Sequence, residues 1–152
     1  MNFFSIVTFF IFFWTTQLCN ASVIGISTIN NLSFGKLATG TGGSVTISTT
    51  GQRSKSGGVV LLSSETGSAA HFCVIGDRDL AVFISLPSNG DVSLSSGTQS
   101  IPVINFTVTP GTSGLLDNNG IQMLAVGGTL NIEGRRQAGN YSGTFNITVN
   151  YQ

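Results

Sequence analysis

The sequence has little charge. Its 152 residues include six Lys and Arg against six Asp and Glu, a formal net charge of zero. The cations Lys36, Arg53, Lys55, Arg78, Arg135 and Arg136 are scattered rather than massed. That leaves no electrostatic footprint for nucleic acid or for an anionic membrane surface. Histidine is scarcer still. His71 stands alone between Ala70 and Phe72, and one imidazole falls short of the ligand count of a zinc cluster. Of the two cysteines, Cys19 belongs to an apolar opening that export would remove, and Cys73 is then left without a partner. The fold must rest on its core rather than on cross-links. Cys73 lies among Phe72, Val74 and Ile75 and reads as a small buried hydrophobe. Helical periodicity is missing throughout, and the twenty glycines fall at turns rather than at every third position, which excludes a collagen-like chain.

Residue constellations that would carry chemistry are equally thin. Asp77, Arg78 and Asp79 make a polar turn, but two local carboxylates fall short of the six to eight oxygens a calcium site takes. Gly40, Gly42 and Gly43 are not followed by a Lys and a helix, so no phosphate loop is expected. Asp91 and Asp117 form no motif with each other or with His71. The sequence therefore predicts a non-enzymatic protein with no catalytic residue, cofactor or metal. Asn31, Asn105, Asn140 and Asn146 each begin a glycosylation-type triplet, a pattern that arises easily in so Asn-, Ser- and Thr-rich a chain.

What is present begins with an uncharged apolar opening. Asn2 to Trp14 contains Phe3, Phe4, Ile6, Val7, Phe9, Phe10, Ile11, Phe12 and Phe13, and Cys19, Asn20 and Ala21 follow a more polar step. The run is about twelve residues, against roughly 20 needed to span a bilayer. It reads as a secretory signal over residues 1–21, cleaved after Ala21, which removes Cys19 and leaves Ser22 to Gln152 as a single β-sandwich domain. Export to the cell surface or medium is expected, through the periplasm in a Gram-negative source, with no membrane insertion once the signal is gone.

In the remaining chain, apolar residues recur at spacing two in short runs between Gly, Ser, Asn and Pro. Strands are predicted at residues 23–28, 44–48, 59–62, 69–75, 80–86, 92–94, 102–109, 121–126, 129–132 and 141–151. Gly127 and Gly128, between two of these, suggest a bulge or a sheet-switching bend. Candidate core residues are Phe34, Leu61, Phe72, Val74, Phe83, Ile104, Phe106, Leu130, Phe145, Val149 and Tyr151. Many short strands with turn signals between them point to an all-β, antiparallel β-sandwich.

The end of the chain is the clearest segment. Tyr141, Gly143, Phe145, Ile147, Val149 and Tyr151 share one face of an extended run, and Ser142, Thr144, Asn146, Thr148 and Asn150 share the other. With period two, the first set faces a core and the second faces water.

These segments carry a resemblance. Asn31 to Lys36 with the Gly-rich loop after it, Ser44 to Gly51, Gly57 to Leu62, Val126 to Asn131 and above all Gln137 to Tyr151 resemble the bacterial secreted domain-of-unknown-function family 4402. The resemblance implies an exported immunoglobulin-like or pilin-like sandwich. The ending also resembles that of chaperone–usher pilus subunits and spore-coat-like proteins, with Tyr151 penultimate and Gly139 fourteenth from the end. Gly139, Tyr141, Phe145, Ile147, Val149 and Tyr151 are accordingly the candidate assembly and core strand. Three readings follow: a self-complete structural, surface or matrix protein, expected to be a soluble and cooperatively unfolding monomer; a fimbrial or coat-type subunit completed by a partner's strand; or an adhesive module for carbohydrate or another ligand. The protein partner would act through strand addition or surface association.

Overall fold

The structure, a computed structural model, describes residues 22–152. The expected signal segment and its cleavage point lie outside the described residues. Among the described residues there are twelve strands, and every pairing between them is antiparallel. The longest, β11 (Ile121–Glu133), organises the larger sheet. Ala125 lies between His71 of β6 (Ala70–Ile75) and Thr109 of β9 (Gln99–Thr109), while Thr129 lies between Thr46 of β3 (Gly42–Ile47) and Ile104 of β9. One edge of β11 therefore carries β6 and then β3 in tandem, and its other edge carries β9. Outside these sit β1 (Gly25–Asn30) on β6, β4 (Arg53–Gly57) on β3 and β8 (Val92–Ser96) on β9. A three-stranded sheet of β10 (Ser113–Leu115), β7 (Ala81–Ser85) and β12 (Thr148–Tyr151) and a ribbon of β2 (Leu37–Ala38) with β5 (Val60–Leu61) complete the molecule. The larger sheet curls into a half-barrel. The fold is an all-β, pilin-like antiparallel sandwich.

The interior divides in two. One cluster gathers Phe34, Val45, Ile47, Val103, Leu130 and Ile132 with Val59, Ala69, Val92 and Ile101. The other gathers Val74, Val82, Ile84, Leu116, Leu124 and Val149. β11 serves both, through Leu124 at one end and Leu130 and Ile132 at the other.

The sequence places most strands, with informative exceptions. β4, of sequence RSKSG, has no apolar side chain to betray it and pairs at an edge. The two-residue β2 and the short β10 are below the length at which alternation shows. The two runs expected on either side of Gly127 and Gly128 are one strand, and the glycines mark a change of neighbour from β6 to β3. The register against β9 also shifts there. The extra residue sits on β9, where Asn105 adopts φ +51° and reverses the parity of the strand. Ile101 and Val103 point inward before it and Phe106 packs against the same core after it, which leaves Ile104 outside both clusters, contrary to expectation. Phe83 departs from the expected core as well. It is 46% exposed, because its neighbours Val82 and Ile84 take the inward positions of β7.

Candidate functional site: an open edge and its groove

The end strand follows the predicted alternation except at Gly143, which is exposed. Tyr141, Phe145, Ile147 and Tyr151 are half-buried and Val149 is buried, while Ser142, Thr144, Asn146, Thr148 and Asn150 are exposed. Its pairing is shorter than its pattern. Ser142 exchanges backbone bonds with Ser95 of β8 at 2.8 and 3.1 Å, and only Thr148–Tyr151 forms a ladder, with β7. The run thus starts against the larger sheet and finishes in the smaller one. It splits the candidate residues accordingly, with Tyr141 and Phe145 on the first core cluster and Ile147, Val149 and Tyr151 on the second. Gly139 is exposed, and a Cβ there would lie 2.6 Å from Ser96 Oγ, so glycine lets the chain close against β8.

The other edge of this run is free. Gln152 donates its N–H to Ala81 O at 3.0 Å, which fixes the phase of the β12–β7 ladder. Bonded and non-bonded pairs alternate in an antiparallel ladder. The N–H and C=O groups of Val149 and Tyr151 therefore point away from β7, and no strand among the described residues pairs with that side.

A groove of about 890 Å³ opens on the first core cluster, beside the earlier part of the same run. Residues 31–37 make one wall and residues 137–145 the other. Its floor is the first core cluster seen from the side, with Phe34, Val103, Phe106 and Leu130. Phe145 packs on Phe106 at 5.2 Å between ring centres and meets Phe72 edge-on at 6.2 Å. Such pairs add about 0.5–1.5 kcal/mol to the burial of the rings. Charge enters only at Lys36 and Glu65, which pair with each other at 3.0 Å in the open.

One residue that sequence reasoning passes over holds the first wall in place. Arg53 Nη1 donates to the carbonyl oxygens of Phe34, Lys36 and Glu65 at 2.9–3.1 Å, and Nη2 donates to that of Leu62 at 2.7 Å. Gly35, at φ +68°, gives the guanidinium room, since a Cβ there would stand 2.7 Å from Nη1. All four acceptors are main-chain groups, so no pattern of side chains announces the arrangement.

The remaining candidates are occupied separately. Asp117 accepts the N–H groups of Ile121 and Asn119, each at 2.8 Å, and these bonds hold its carboxyl below the usual range. Asp91 caps its own turn by accepting the Ser88 N–H at 3.0 Å. Tyr141 donates to Gln137 O at 2.8 Å; Tyr151 accepts the Asp77 N–H at 2.8 Å and donates to Val23 O at 3.3 Å. Both hydroxyls are thus engaged within the fold. Among the described residues no group of three or more His, Cys, Asp and Glu could hold a metal, and no helix is long and apolar enough to cross a membrane.

The model of a domain of unknown function, DUF4402, matches residues 24–151. The chain belongs to the DUF4402 family. The match runs from β1 through the free edge of β12, so the groove and both of its walls are parts of the DUF4402 domain. No curated protein and no solved structure matches the chain.

Proposed function

We propose that this DUF4402 protein is an exported structural subunit of a surface or matrix assembly, and that its groove accepts a strand from a partner protein. The observation that carries the reading is that one terminal run shows two deficits. The backbone groups of Val149 and Tyr151, at the end of the final run, have no neighbouring strand among the described residues, and the first core cluster stands open beside its earlier residues 137–145. A partner's strand supplies alternate apolar side chains to the groove floor and, continued along β12, main-chain bonds to the edge. Of the readings open from sequence, the subunit completed by a partner's strand is the one this geometry supports best.

The test is a ten-residue peptide of alternating Ile and Thr, added to the purified protein. A ligand at 100 times its dissociation constant stabilises the native state by about 2.7 kcal/mol. The expected outcome is a melting temperature that climbs with peptide concentration, with new amide protection at Val149 and Tyr151. No climb and no protection would leave the groove as a surface feature and return the weight to a self-complete sandwich.

A further inference from the structure

The first strand is held differently from the rest. All six residues of β1 are exposed, so the strand is fastened by its backbone ladder to β6 and by little else. Ahead of the ladder, Ile24 rests against the second core cluster. Two side-chain ties reach that end: Ser22 Oγ donates to the Asp77 carboxylate, and the Tyr151 hydroxyl donates to Val23 O at 3.3 Å. The ladder becomes irregular between Thr28 and Asn30. Immediately beyond, Ser33 exchanges backbone bonds with Ser68 at 2.8 and 2.9 Å and anchors the chain. A weakly held strand is thus followed by an irregular point and then by a fixed one, which is the layout of a hinge.

We infer that β1 is a detachable strand, latched by Tyr151, that exchanges between two copies of this chain. The seat it leaves on β6 is the same in every molecule, with Gly25 opposite Ile75 and Ser27 opposite Cys73. A second copy's β1 recovers each contact in the same register, so exchange carries little cost beyond opening the hinge. This surface is the edge of β6, distinct from the free edge of β12, and the inference stands or falls independently of strand addition in the groove.

The register supplies its own probe. Residues directly opposite in an antiparallel pair have Cα atoms about 4.5–5.5 Å apart, within the span of a disulfide. Ser27→Cys therefore faces the native Cys73. Protein made from the full chain is incubated over a range of concentrations, oxidised and separated without reductant. Exchange predicts a covalent dimer that increases with concentration. It increases several-fold further when Tyr151→Phe, which keeps the ring and removes the latch, is added. Ser22→Ala, which cuts the other tie, should act in the same direction. The control Ser27→Cys with Cys73→Ser should give no such dimer. An internal disulfide alone at every concentration would overturn the inference. So would free thiols throughout, a dimer indifferent to both latch variants, or a control that dimerises equally.

Discussion

Phe145 joins residues that are far apart in sequence, touching Phe72 from one sheet strand and Phe106 from another. Core Phe→Ala substitutions cost about 3–5 kcal/mol, and a half-buried ring belongs at the lower end of that range. Asn146 beside it faces water, and exposed substitutions away from special features stay within about 0.5 kcal/mol. Urea melts of Phe145→Ala and Asn146→Ala should therefore differ several-fold in lost stability; equal losses would mean that the register of the run is wrong. Asp117 makes a prediction in pH. Its folded-state pKa is depressed by the Ile121 and Asn119 amides, so its contribution is present above the unfolded value near 4 and lost as pH falls through the lower folded value. A wild-type thermal melt should drop below about pH 4 more steeply than that of Asp117→Asn. Parallel pH profiles would remove Asp117 as a source of acid sensitivity.

At the scale of elements, the wall of residues 33–37 depends on Arg53. A hydrogen bond to a charged group contributes about 1.5–3 kcal/mol, and four carbonyls share this one guanidinium. Arg53→Gln should lower stability by at least that much and raise amide exchange at Lys36 and Leu62 before it does so in β11. Uniform exchange across the sheet would show a global role instead. The same scale shows what the sequence reveals. The end strand is legible because its apolar residues occupy one parity only. In β7 the consecutive Val82, Phe83 and Ile84 fill both parities, so the pattern does not say which face is inward, and the large ring of Phe83 misleads. β4 is illegible because an edge strand with its side chains largely in water needs no apolar residue. The groove is hidden for a different reason. It lies between residues 31–37 and 137–145, segments about a hundred residues apart that only the topology brings face to face.

For the whole molecule, the fold class, the family and the wet and dry faces of the final run agree with the sequence, whereas the division of the interior into two clusters emerges only from the topology. β11 places buried residues in both clusters, and it changes partners at Gly127 and Gly128, which joins the two halves mechanically as well as in sequence. Export belongs to this scale as well. With cleavage proposed between Ala21 and Ser22, the intact mass of the exported product should correspond to a chain beginning at Ser22. A surface-anchored product retaining Phe3 to Trp14 would contradict it.

The meeting of Tyr151 with Val23 has a consequence for how such a subunit would carry load. Through that contact the start of the described chain and its final strand lie at the same end of the molecule. Tension applied between Ser22 and Gln152 would enter and leave there, pulling β1 from β6 and β12 from β7 from their ends. Bonds loaded in that direction break in succession, like a zip, instead of resisting together. A fibre linked through those two points would be extensible. One linked across the length of β11 would be stiff.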